Sequence, residues 1–212
     1  KGLLNKRIWF SGIIKMNILL ISPHLTNVDR YGKALGKVGA VSEPLGLTYL
    51  AAALRQKRKD NITILDACAL GYNSREVEEY LKKQKWDLIG IMMLTPMYTK
   101  VLETIEIIRK IDKKVKIIVG GPHPTIFPKE TLEHNPDISV AVIGEAEITI
   151  VELLDAFEKD RELSQIKGIA YRENNKIILN TPREFIKNID EISLPARDLL
   201  DMRLYKPAPT YY

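Results

Sequence analysis

The chain has 212 residues, of which 45% are apolar and 28% charged, a balance that fills the core of one large α/β domain and excludes disordered, collagen-like and disulfide-scaffold classes. Its formal charge of +5 is concentrated in residues 1–15, where Lys1, Lys6, Arg7 and Lys15 meet no acid, leaving 28 basic against 27 acidic residues elsewhere and no basic stripe for nucleic acid. The single cysteine, Cys68, excludes an internal disulfide and a cysteine-held iron–sulfur cluster.

Residues 1–15 read as an extension ahead of Met16. From there strands and helices alternate. Asn17–Ser22 is a short apolar run of the kind buried on both faces of a sheet. Pro44 sits where a first helical turn tolerates it, and Leu47, Leu50, Ala51 and Leu54 follow at helical spacing. Ile62–Asp66 forms a second strand. Asn73 with Glu76 three residues on predicts a capping box, opening a helix whose inner face is Val77, Tyr80 and Leu81. Asp87–Leu94 is the third strand, and Val101, Leu102, Ile105, Ile108 and Ile111 mark the next helix. Val115–Val119 is the fourth strand, ended by Gly120-Gly121-Pro122. A short helix over Lys129–His134 leads to a fifth strand at Ser139–Ile143 and a helix from Glu147 to Lys159.

Five apolar strands alternating with helices predict an α/β three-layer sandwich, flavodoxin-like (Rossmann-like), with a five-stranded parallel sheet of order 2-1-3-4-5 over residues 16–160. Gly168–Arg172 and Lys176–Asn180, joined by Asn174-Asn175, predict a β-hairpin appendage over 161–180. Residues 181–212 carry Pro182, Pro195, Pro207 and Pro209 without a period and read as a linker. No apolar run reaches the roughly 18–20 residues of a membrane span; the best candidate, 38–54, is broken by Glu43 and Pro44. A cytoplasmic chain without membrane or nucleic-acid partners is the expectation.

An open parallel sheet binds ligands beyond the carboxyl ends of its strands, so the loops there carry the functional text. The loop after strand one, Pro23 to Glu43, is long enough for a lid or ligand-facing segment and includes Gly32, Gly36 and Gly39. Thr95-Pro96 follows strand three, Gly120-Gly121-Pro122-His123-Pro124-Thr125 strand four, and Gly144-Glu145-Ala146-Glu147 strand five. Paired glycines at a strand end leave room for something to approach the backbone. Ser22-Pro23-His24-Leu25-Thr26-Asn27 is neither a dinucleotide fingerprint nor a P-loop, and strand three ends without a receiver-domain aspartate. Cys68, with no histidine near it in sequence, reads as a small buried hydrophobe.

Pro44–Ala52, Asp66–Gly71, Thr95-Pro96, Gly120–Thr125 and Gly144–Glu147, in this order at these sheet positions, resemble the N-terminal cobalamin-binding domain of the cobalamin-dependent radical S-adenosylmethionine enzymes. The resemblance runs from Met16 to Asp201, with Ile189–Asp198 similar to the family's connector into a radical barrel. It implies that cobalamin is held base-off, with no protein histidine on cobalt, by Pro44, Leu45, Gly46, Thr95, Pro96, Gly120, Gly121, Pro122, His123, Gly144 and Glu145. Thr95-Pro96 would lie below the corrin, the glycines beside the nucleotide tail, and Glu145 would offer it a carboxylate.

His24 keeps the histidine of the cobalt-binding motif of methionine synthase-type domains but lacks that motif's aspartate and glycine. His134 reads as solvated. The resemblance further implies a radical domain in cis carrying a [4Fe-4S] cluster and S-adenosylmethionine, absent here, and methyl transfer as the commonest reaction. The chain is then an N-terminal fragment without turnover of its own, or a standalone copy. A regulatory module that has lost its cofactor and a small nucleotide or flavin binder are the competing readings.

Overall fold

The computed structural model describes residues 15–25, 29 and 41–205. The expected N-terminal extension up to residue 14, most of the loop after strand one with Gly32, Gly36 and Gly39, and residues 206–212 lie outside the described residues.

A seven-stranded sheet organises the chain. Its strands are β1 (Asn17–Ser22), β2 (Asn61–Asp66), β3 (Leu88–Met92), β4 (Lys116–Gly120), β5 (Val140–Val142), β6 (Ile169–Glu173) and β7 (Lys176–Leu179), in the order β2-β1-β3-β4-β5-β6-β7. The first five are parallel in the expected 2-1-3-4-5 order. One correction concerns the hairpin. β6 and β7 are no appendage: they continue the same sheet, β6 pairing antiparallel with β5 and β7 antiparallel with β6. Short β5 would otherwise leave an open edge, and β6 covers it. Asn174 and Asn175 both have positive φ, 48° and 63°, as a two-residue hairpin turn requires.

Alternation along each strand sorts the core into two layers. Leu19 and Ile21, Ile89 and Ile91, and Ile117 and Val119 face α2 (Ser74–Leu81), α3 (Tyr98–Ile111) and the short α5 (Pro128–Glu133). Ile18 and Leu20, Leu88, and Ile118 face α1 (Leu45–Lys57) and α6 (Glu147–Glu158). The capping box forms as its spacing predicts: the Arg75 and Glu76 amides donate to the Asn73 side chain, and the Asn73 amide donates to Glu76 at 2.8 Å. Gly121-Pro122 opens a further short helix, α4 (Pro122–Ile126), within the stretch read from the sequence as the loop after strand four.

Segment 181–205 lies against the sandwich, held by polar contacts. The Arg183 guanidinium donates to Thr149 at 2.8 Å and pairs with Glu152. The Ile186 amide donates to Glu145 at 2.7 Å, and the Ala196 amide donates to the Thr48 carbonyl of α1 at 3.0 Å. Arg197 pairs with Glu43 at 2.7 Å, and the Tyr205 hydroxyl donates to Asp66 at 3.0 Å, at the end of β2. A segment anchored through such scattered partners leaves no apolar period in its sequence, which is why it reads as a linker.

At the opposite end of the sheet Arg58, just past α1, sits buried between Asp60 of the α1–β2 turn and Asp155 and Glu158 of α6. Burial alone would lower the Arg58 pKa, but the hydrogen bonds to Asp60 and Glu158 outweigh it and raise it. Asp60 also accepts from the Met16 amide at 3.0 Å, so one guanidinium joins β1, α1 and α6. Replacing Arg58 by alanine would strand these carboxylates, at a cost of about 3–5 kcal/mol. Arg55→Ala, which breaks an exposed pair with Asp198, should cost less than about 1 kcal/mol. Urea denaturation of the two variants checks the contrast.

Candidate functional site

Two groups of the expected site residues emerge at the C-terminal rim of the sheet. The larger lines a cleft of about 330 Å³ between α1 and α6, at the small end of the roughly 300–1,000 Å³ range of ligand pockets. Gly46 lies on its α1 side, Gly120, Gly121 and Pro122 on the β4–α4 connection, and Gly144 and Glu145 on the β5–α6 connection. The smaller group, Thr95, Pro96 and His123, lies off the cleft. Thr95 and Pro96 are exposed in a one-turn 3-10 helix, Thr95–Met97. Pro44 is buried beneath the start of α1 and Leu45 is exposed; neither lines the cleft.

The cleft floor adds a residue that the sequence reading missed. Gly90, in the middle of β3, faces it beside Leu20 and Ile118. A Cβ there would come within 2.9 Å of Leu20 Cδ2 and 3.6 Å of Ile118 Cγ1, so the missing side chain is what lets Leu20 lie low over the strand beneath the cleft. The signal was present, since a glycine inside an otherwise apolar strand marks a close approach. Gly120, on the neighbouring strand, has only the Val142 Cβ at 3.8 Å facing its own missing side chain. Gly46 and Gly144 have open space. Gly121 is a glycine for a different reason: φ is 113° and a Cβ would meet the Met93 carbonyl oxygen at 3.0 Å.

Thr125 ties the rim together. Its hydroxyl donates to the Gly121 carbonyl at 2.8 Å and accepts from the Gly144 amide at 3.0 Å, joining the loops after β4 and β5. The Glu145 carboxylate, expected to reach a ligand, lines the cleft and accepts the Ile186 amide with one of its oxygens. Glu147, at the first turn of α6, also lines the cleft, and its Oε2 is buried without a hydrogen-bond partner.

On the other side of the rim His123 Nδ1 lies 3.1 Å from the Thr95 hydroxyl, and its ring packs between Tyr98 and Phe127, at 5.1 and 5.5 Å between centroids. His24 is buried, with Nε2 at 3.0 Å from Glu103 and 3.2 Å from the Ser74 hydroxyl. Burial would raise the Glu103 pKa, but hydrogen bonds from Lys100 and His24 outweigh it and hold the carboxyl below its usual range. Cys68 is only partly buried and donates to the Leu25 carbonyl at 2.8 Å, so it is more than an inert filler. Among the described residues no group of three or more His, Cys, Asp or Glu is placed to hold a metal ion, and no helix is long and apolar enough to cross a membrane.

Residues 32–154 match the B12 binding domain family. The chain belongs to that family. A β2-β1-β3-β4-β5 parallel sheet with a glycine-floored groove at its C-terminal rim fits the group the family is named for. Cobalamin is its cofactor. Over 191 residues the B12-binding domain is 36% identical to the uncharacterized methyltransferase PH0819 of Pyrococcus horikoshii, matching 90% of this chain and 40% of that protein. It is 24% identical over 180 residues to an anaerobic magnesium-protoporphyrin IX monomethyl ester cyclase of Cereibacter sphaeroides, covering 84% of this chain and 28% of the relative. Its fold matches the cobalamin-dependent S-adenosylmethionine radical enzyme OxsB, solved with aqua-cobalamin and S-adenosylmethionine bound, with a TM-score of 0.72 at 19% identity over 88% of this chain and 25% of that one. The chain thus spans less than half the length of these relatives.

Burial lowers the His123 pKa below the ordinary histidine value. The unfolded chain therefore takes up this proton first, at about pH 6.5. The stabilisation by neutral His123 is complete above that pH and is lost as pH falls through it toward the lower folded value. The thermal midpoint of the free domain should fall between about pH 7 and pH 5.5, and less steeply in His123→Gln. Proton NMR titration of the His123 ring checks the direction of the shift.

Proposed function

We propose that the domain holds cobalamin base-off, with the nucleotide tail in the α1–α6 cleft and the corrin over the rim, and presents it to a radical S-adenosylmethionine domain of the same polypeptide. The observation that carries this reading is the bare lining of the cleft, where Gly120 at the end of β4 faces only the Val142 Cβ at 3.8 Å and Gly46 and Gly144 face open space. A mostly apolar slot suits a planar aromatic base. Gly46 and Gly144 leave the cleft walls low, and the backbone at Gly144–Glu145 can donate to the tail. Exposed Thr95 and Pro96 form a low surface for the ring, with His123 steadying Thr95 from behind.

Bound cobalamin supplies a group carrier, while the protein orients it and controls access. His24 contributes no cobalt ligand in this reading, because its Nε2 is occupied by Glu103 and Ser74. The whole protein is proposed to be a radical methyltransferase, in line with the name of the Pyrococcus relative, with its [4Fe-4S] cluster and S-adenosylmethionine in the further domain. Segment 181–205 would serve as the connector.

Mixing the purified chain with hydroxocobalamin and desalting should leave corrin absorbance with a base-off spectrum on the protein. A colourless protein would overturn the proposal, and a yellow protein as purified would point to a flavin instead. Gly120→Leu is the cleaner blocking variant, since Gly120 has ordinary φ and its new side chain meets only Val142 before entering the cleft. It should lose cobalamin retention while staying folded by circular dichroism. Gly121 variants are a poorer probe because they strain the backbone itself.

A further inference from the structure

Three buried side-chain polar atoms among the described residues have no hydrogen-bond partner: His24 Nδ1, Arg172 Nε and Glu147 Oε2. His24 is turned toward Glu103 and Ser74, on the side of the sheet away from the cleft, and Arg172 reaches the Leu132 carbonyl. Of the three, Glu147 alone lines the cleft. A buried oxygen that has given up water without gaining a donor is a standing cost to the free domain, and such groups are few in native structures, so each calls for a reason.

No side chain of the cleft itself can supply the donor. Apart from Glu145 and Glu147, its lining is glycine, proline and apolar side chains, which offer no side-chain donor. The two glutamates also differ in what they face. The Glu145 carboxylate accepts the Ile186 amide of the C-terminal segment, which makes it an anchor for that segment. Glu147 lines the cleft with an unpaired oxygen, and it also borders a second cavity beside Tyr49, Asp190 and Leu194.

We infer that Glu147 is a specificity-determining residue that accepts a hydrogen bond from the nucleotide portion of the bound corrinoid, at a ribose hydroxyl. The inference rests on the placement of the tail in the cleft proposed above. A carboxylate accepts from hydroxyl and amide donors and repels a phosphate, so Glu147 reads the neutral parts of the tail and leaves the phosphate to backbone N–H groups at the rim. It thereby favours a corrinoid with its nucleotide over one without, because only the former relieves the unpaired oxygen.

The test is calorimetric titration of the 212-residue chain and its variants with hydroxocobalamin and with aquocobinamide, which has the same ring and no nucleotide. Glu147→Leu should weaken cobalamin binding about ten- to a hundredfold and leave cobinamide binding unchanged. The free variant should melt no lower than the parent, since the substitution removes an unpaired buried oxygen. Glu147→Gln, which keeps the shape but replaces the charged acceptor by a weaker neutral one, should lose less cobalamin affinity than the leucine variant but still a measurable several-fold, and it carries the test alone if the leucine variant fails to fold. Unchanged cobalamin affinity in a folded Glu147 variant would overturn the inference, as would an equal loss for both corrinoids. Parent protein that binds neither corrinoid would refute the cobalamin reading itself, an outcome distinct from both.

Discussion

The site depends on a gap between two helices. α1 and α6 pack on the same face of the sheet, and toward their C-terminal ends Ala51, Leu54, Leu153 and Leu154 fill the space while Arg58 clamps both helices to the turn before β2. Toward their N-terminal ends Gly46, Gly120 and Gly144 leave the space unfilled, and Gly90 lets Leu20 lie low over the sheet. The gap is therefore built into the packing of the strands and helices. The buried ion cluster contributes to this because its four partners reach one another only when both helices are seated.

Much of this arrangement was legible in the residues. The strand order follows from five apolar runs alternating with amphipathic helices, and the Asn73–Glu76 spacing locates a helix start to the residue. Paired glycines after the fourth strand and the Gly144 turn after the fifth indicated where the backbone must stay bare. The division of labour within those loops was not legible. Gly121 answers a backbone demand and Gly120 a spatial one, yet they look alike in sequence. Gly90 passed as part of an apolar strand because nothing local says which face of β3 lacks a covering side chain. The roles of Glu145 and Glu147 could not be told apart either, since the partner of Glu145 lies 41 residues away.

The hairpin and the C-terminal segment show the same limit from another direction. Turn chemistry at Asn174-Asn175 specifies a hairpin but not its neighbour, and it is β5, with only three residues in the ladder, that makes an added antiparallel strand worthwhile. Segment 181–205 has no repeating pattern because each anchor belongs to a different element: α6 for Arg183, the β5–α6 connection for Ile186, α1 for Ala196 and β2 for Tyr205. Its path can be recognised only once the sandwich exists to receive it.

The separation between the Arg58 cluster and the bare rim carries an evolutionary consequence. Rigidity is vested at one pole of the sandwich and recognition at the other, with the closely packed strand interiors between them. Changes that retune the loops need not weaken the foundation, and free energies of changes at sites so far apart tend to add. Such a scaffold can drift in what it grips while continuing to fold, which is the property a carrier module requires if it is to be paired with catalytic partners of different chemistry.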